Sequence, residues 1–339
     1  MANPRLFFRN PFQGLFVVLL AASVSYAADS PQPLMLVVNK TSHSVTLLNR
    51  VTGKEICHAS VGVNPHEAAF SNDGSHFYVP VYGTGGVGQP GTDEHALHIF
   101  TTSDCKQTGV MDTGNFRRLH GIKVGKSGLL YVTAENAKSV IVIDPEKRKI
   151  IASVPTGSQY SHMLVITPDE RKAYTSNVMS RTISVLDLRN HKLLKQIPTG
   201  VPNQRMALSP DARWFVTTLG EKKSVAFYRT SDDALDFEVP LEGSPYVTCF
   251  SPDGKYLYVS GYDAPMKAAA WKIDIADKKV VAALGGLGKH AGTIAVDPEG
   301  KYVYASDEKS HWISKIRAAD WTSSGLIAIA SPDQIVFAH

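Results

Sequence analysis

From residue 34 onward the apolar residues come in short runs of about five, broken by turn residues. VTCF is followed by SPDG and then YLYVS at 247–260, TIAV by DPEG and then YVYAS at 293–306, and MAL by SPDA and then WFVTT at 206–218. VITPDERKAYTSN (165–177) and AAFSNDGSHFYVP (68–80) repeat the scheme more loosely. Runs this short, rich in Val, Tyr and Thr and bounded by Pro, Asp and Gly, read as strands joined by tight turns. A third run follows in each copy, such as SVIVID (139–144), TISVLDL (182–188) or SVAFYRT (224–230). A fourth closes it, such as KIIASV (149–154), KLLKQI (192–197) or KKVVAAL (278–284). The unit is therefore four strands long.

Counting back eight residues from each first turn marks one register: His66, His120, His162, Gln204, Tyr246 and Gly292. The three middle spacings are 42 residues each, the period of four-stranded propeller blades. The C-terminus, SPDQIVFAH (331–339), matches a first strand alone and puts Asp333 in the register. Residues 34–62 match strands two to four and lack a first. The two ends thus complete one blade, and the prediction is an all-β, seven-bladed propeller closed by N-terminal strands two to four plus C-terminal strand one. Such closure leaves only the short outer edges of the blades. A solenoid is the rival architecture, but it requires capping repeats, not complementary half-repeats.

Tyr131-Val132-Thr133, Tyr174-Thr175-Ser176-Asn177, Tyr258-Val259-Ser260 and the turn Ser251–Gly254 resemble the YVTN-repeat family of seven-bladed propellers. The resemblance covers essentially all of 34–339 and implies that fold. The wider superfamily includes lactonases, amine dehydrogenase subunits and pure binding proteins. No catalytic motif of any of them maps onto this sequence.

Ahead of the repeats, Arg5 and Arg9 precede the apolar run Leu15–Ala22, and Ser25-Tyr26-Ala27 fits a small-x-small cleavage site. Residues 1–27 read as a Sec signal, leaving a single domain over 28–339, exported to the periplasm or the exterior. The apolar run is shorter than the roughly 20 residues of a membrane span, so no transmembrane segment is expected after signal removal. The formal charge is +4 for the whole chain, and Lys and Arg are scattered without a basic block, which argues against nucleic acid. Of the three cysteines, Cys249 lies in an apolar run and reads as buried, while Cys57 and Cys105 are a conceivable bridge in an oxidising compartment.

In a propeller the entry to each first strand and the loop between strands two and three lie on one face. The register residues should therefore ring the mouth of the central channel, with His290 nearby and Glu67 and Arg205 one step inside. Three imidazoles with an acid suit Zn, Cu or Fe, which makes His66, His120, His162 and Asp333 a candidate metal set. The bland alternative is that each His merely hydrogen-bonds a neighbouring entry loop, the shared register being a relic of duplication.

The Gly-rich insertion YGTGGVGQPGTDEHAL (82–97) falls on the same face, where Asp93, Glu94 and His95 could swing over the channel. It reads equally as a mobile surface loop. Glu67, Gln204, Arg117 and His290 are candidate ligand-binding residues. Three functions follow as expectations: a module binding a small ligand or metal; a lactonase-like enzyme, in which His120 or His162 acts with a metal or as a base and Arg205 or Tyr246 stabilises an anion; and a protein-binding scaffold on the propeller face.

Overall fold

The computed structural model describes residues 33–263 and 266–338, together with Met1. The expected signal segment lies outside the described residues. Seven four-stranded antiparallel sheets follow one another along the chain. Blade 1 spans Ala69–Phe70 to Gln107–Asp112, blade 2 Leu119–Val124 to Lys149–Pro155, and blade 3 Ser161–Ile166 to Lys192–Pro198. Blade 4 spans Met206–Leu208 to Leu235–Pro240, blade 5 Ser244–Phe250 to Lys279–Leu284, and blade 6 Ile294–Val296 to Thr322–Ala328. Blade 7 is the composite: Pro332–Phe337 pairs antiparallel with Leu34–Asn39, which continues to Ser44–Asn49 and Glu55–Ser60. Among the described residues the helical content is one turn, Gly220–Lys222.

Burial follows position in the blade. Strands two and three, such as Leu130–Ala134 and Ser139–Asp144, are buried on both faces because each sheet is covered by its two neighbours. Fourth strands such as Lys279–Leu284 alternate exposed and half-buried residues, as expected for the rim. Aromatic stacks tie the blades together: Tyr174 and Phe215 lie 3.9 Å apart between blades 3 and 4, and Tyr258 and Trp321 5.3 Å apart between blades 5 and 6.

The Ser or Thr of the repeat motif has a defined task. Thr133 Oγ1 donates to the His162 carbonyl at 2.8 Å, Ser176 Oγ to Gln204 at 2.8 Å, and Thr218 Oγ1 to Tyr246 at 2.9 Å. Ser260 Oγ donates to Gly292 at 2.8 Å and Ser306 Oγ to Asp333 at 2.6 Å. Each hydroxyl on strand two thus holds the backbone of the next blade at the channel-mouth register. Two boundaries lack it. Pro80 stands in that place before His120 and Val38 before His66. At the blade 7–blade 1 seam, Gln334 substitutes, its Oε1 accepting from the Ala68 amide and its Nε2 donating to Glu67.

Cys57, on the outer strand of blade 7, is joined to Cys105, at the turn before the outer strand of blade 1, with a Cα–Cα distance of 5.7 Å. Cys249 is free. No helix among the described residues is long and apolar enough to cross a membrane.

Candidate functional site: a histidine stack at the channel mouth

The strand entries of blades 1, 2 and 3 bring His66, His120 and His162 into one stack. Ring centroids are 4.7 Å apart for His66 and His120 and 3.8 Å for His120 and His162. His120 is 1% exposed and His162 5%, while the His66 side chain is 12% exposed. The outer two rings each face a carboxylate through Nδ1. His162 Nδ1 lies 2.7 Å from Glu135 Oε1, a hydrogen bond. His66 Nδ1 lies 3.2 Å from Asp333 Oδ2, close enough for attraction but off the hydrogen-bonding line, so that oxygen is left without a partner. His120, in the middle, has neither ring nitrogen partnered.

Burial dominates the protonation of this group. It lowers the His66 pKa to about 4, with Asp333 pulling upward and Lys40 and Arg205 pushing further down. Burial also holds His120 well below the ordinary histidine value, helped by the two flanking imidazoles. Both are therefore neutral near pH 7 and carry free lone pairs. In the tautomer whose Nδ1–H donates to Glu135, His162 presents the Nε2 lone pair.

Tyr82 completes the wall. Its ring stands edge-on to His66 and His120, with centroids 5.3 and 5.5 Å away, and its hydroxyl donates to Glu135 Oε2 at 2.6 Å. That fully buried phenol is held protonated by burial and by the Glu135 charge. Tyr82 and Glu135 occupy equivalent positions in blades 1 and 2, two residues beyond the hydroxyl register, alongside Lys40, Val178, Gly220, Tyr262 and Glu308 in the other blades. A second count along the repeats, from the motif Ser or Thr, would have exposed this second ring.

One layer further in, Glu67 and Arg205 form a buried ion pair across the channel, with Gln334 on the second Glu67 oxygen. Burial works against the charge of Arg205, but Glu67, with Tyr246 and Asp333, more than compensates and raises its pKa. The Tyr246 ring lies 5.6 Å from the Arg205 guanidinium carbon. Arg205 Nε is buried and unpartnered.

The remaining sequence candidates are distributed as follows. Gln204 lines a separate hollow with Tyr246 and Tyr262. His290 sits beside those tyrosines, its ring 6.4 Å from Tyr246 and 6.0 Å from Tyr262, with Nδ1 buried and unpartnered. Arg117 is exposed, while its neighbour Arg118 is buried and carries the contacts. Arg118 pairs with Asp93 and donates to the carbonyls of Gly86 at 3.2 Å and Gln89 at 2.8 Å. Asp93 also accepts from Asn136. The insertion is thus pinned as a folded-back loop over blade 2, its legs joined by Thr84 and Thr92. Gly91 permits that approach, since a Cβ there would meet the Thr84 carbonyl oxygen. Glu94 joins its backbone to Tyr82 and Arg118, and His95 turns outward to Asp112, 2.7 Å away.

Residues 122–241 match the YNCE-like β-propeller family. That segment is blades 2 to 4. A functionally unknown protein from Desulfotomaculum acetoxidans superposes with a TM-score of 0.75 at 14% identity, over 91% of this chain and 99% of its own. A putative 6-phosphogluconolactonase from Bacteroides fragilis gives 0.72 at 17% identity, over 91% and 99%. Hydrazine synthase from Kuenenia stuttgartiensis gives 0.68 at 19% identity, over 88% and 99%. At such identities the likeness establishes the propeller fold. Chemistry has to be argued from the side chains.

Proposed function

We propose that the protein is an exported propeller that binds a divalent transition-metal ion at the channel mouth through His66, His120 and His162. The observation that carries this reading is His120: a neutral imidazole, almost wholly buried between two others, with both nitrogens unpartnered. A buried polar atom left without a partner costs about 1–3 kcal/mol, and a bound cation removes that cost. Glu135 supports it in the manner usual for metal-ligating histidines, fixing the His162 ring through Nδ1, and Asp333 places a second carboxylate 3.2 Å from His66 Nδ1. Among the described residues no three donor side chains already surround a common point, so binding requires the rings to rotate out of their stack. Three imidazoles without thiolate suit Zn(II), Cu(II) or Fe(II). Arg205 has less to offer as an anion stabiliser in a hydrolytic reaction, because Glu67 already engages it. Export is supported by the basic and apolar leader of residues 1–27 and by the Cys57–Cys105 bridge, which persists in oxidising compartments.

The test is metal analysis of the purified protein, followed by titration of Zn(II), Cu(II) and Fe(II) into chelator-treated protein with thermal unfolding as the readout. We expect close to one ion per chain and a rise in Tm, both lost in His120→Ala and in the milder His120→Gln. An unchanged Tm with all three ions sinks the proposal.

A further inference from the structure

Below the Glu67–Arg205 layer, the channel widens into a cavity of about 470 Å³ that opens past Ser71 and Asn72, at the end of the molecule opposite the histidines. Every blade contributes to its wall, and the lining is mainly apolar: Phe70, Ile122, Val247, Ile294, Ile335 and Phe337 among others. Three charged side chains reach it. Glu67 and Arg205 neutralise one another. Lys123, on the innermost strand of blade 2, is left over, with no ion-pair partner among the described residues. It is half-buried in the channel wall, and burial lowers its pKa, with Glu67 opposing that and Arg205 adding to it. The cavity therefore carries a net charge of one cation inside apolar walls. Its volume is that of a small-molecule site.

We infer that this cavity is a binding site for a monocarboxylate with an apolar body, the carboxylate pairing with Lys123 and the hydrocarbon lying along the strands of blades 5 to 7. A singly charged head matches the single uncompensated cation. A dianion would bring a second charge into apolar walls with nothing to pair it. An uncharged amphiphile would leave Lys123 unpaired. The site is separate from the histidine stack, with the Glu67–Arg205 layer between them.

The probe is octanoate, added to chelator-treated full-length protein so that no metal ion receives the carboxylate. Isothermal titration should show saturable binding about tenfold or more tighter than octan-1-ol, since the alcohol carries no charge to form an ion pair with Lys123. Lys123→Met should weaken octanoate at least about tenfold and leave the alcohol unaffected. A readout in the unaltered protein guards against a misfolded variant. Cys249 is the one unpaired thiol of the sequence and lines the same cavity, so octanoate should slow its reaction with methyl methanethiosulfonate. Equal binding of acid and alcohol, retention of octanoate binding in Lys123→Met, or Cys249 labelling that octanoate leaves unchanged overturns the assignment.

Discussion

Arg205 of blade 4 reaches across the channel to Glu67 of blade 1, joining opposite sides of the ring through one buried ion pair. No backbone ladder connects these blades, so the pair acts as a strut between elements that otherwise touch only their neighbours. Met163, with its sulfur 3.3 Å from Arg205 Nη1, and Gln334, on the far oxygen of Glu67, hold the two ends in line. Glu67→Gln leaves a guanidinium buried without its counter-ion. Breaking such a pair from one side costs about 3–5 kcal/mol, whereas replacing both partners by apolar residues costs far less. Guanidinium denaturation should therefore rank Glu67→Gln and Arg205→Met as strongly destabilised, and the double variant Glu67→Leu/Arg205→Met as milder than either. Additive losses in the double variant would show that the two residues act independently.

The hydroxyl clamp between blades gives a second expectation. Ser260→Ala strips the Gly292 carbonyl of its donor in a place closed to water. The cost of an unsatisfied buried acceptor is about 1–3 kcal/mol. Ser323→Ala, exposed on the outer strand of blade 6, should be nearly silent. Chemical denaturation of the two variants checks this, and equal stabilities would remove the clamp from the list of interactions that hold the ring.

The blade count and the closure were legible in the sequence, because turn residues recur at a fixed period and because the two half-repeats at the ends complement one another. The convergence of His66, His120 and His162 was legible for the same reason: a shared register in consecutive blades puts side chains side by side. Tyr82, Glu135 and Gln334 were harder to see. Tyr82 and Glu135 belong to a different register, two beyond the motif hydroxyl, and neighbour one another only because adjacent second strands end at one height. The pinning of the insertion by Arg118 was also hidden, since Arg117 and Arg118 look alike in sequence. What separates them is that Arg118 adopts positive φ (53°) and turns inward beneath the loop.

Reducing the Cys57–Cys105 bridge should loosen the seam between blades 7 and 1. The bridge spans 48 residues, for which the chain-entropy model gives a stabilisation of about 4 kcal/mol. Thermal unfolding of Cys57→Ser/Cys105→Ser should show a clear fall in Tm, with the near-native far-ultraviolet circular dichroism of the folded state retained at low temperature. The same fall should appear in unaltered protein under a strong thiol reductant. A Tm insensitive to both would mean that the strand pairing of Pro332–Phe337 with Leu34–Asn39 closes the ring unaided.

The first turns of the blades set the acid limit. In four of them a hydroxyl donates to the turn aspartate two residues on: Ser71 to Asp73 at 2.6 Å, Thr167 to Asp169 at 2.6 Å, Ser209 to Asp211 at 2.6 Å, and Ser251 to Asp253 at 2.7 Å. Those hydroxyls, aided by backbone amides, hold each carboxyl below its ordinary value, that of Asp73 falling from 3.8 to about 2. A carboxyl that ionises more readily in the folded chain than in the unfolded one stabilises the fold at any pH above the unfolded value. That contribution is lost as pH falls through the folded value, because the folded state must then take up the proton that the unfolded state already carries. For Asp73 the window runs from just under pH 4 down to about pH 2. The Tm difference between unaltered protein and Asp73→Asn should accordingly be constant from pH 7 to about 4.5, shrink below that, and level off near pH 2. The side chain is largely exposed, so the difference is small for one turn, and combining Asp73→Asn with Asp253→Asn should enlarge it. A gap that stayed the same width down to pH 2 would show that the turn aspartates support the blades by hydrogen-bond geometry alone, with their charge playing no part.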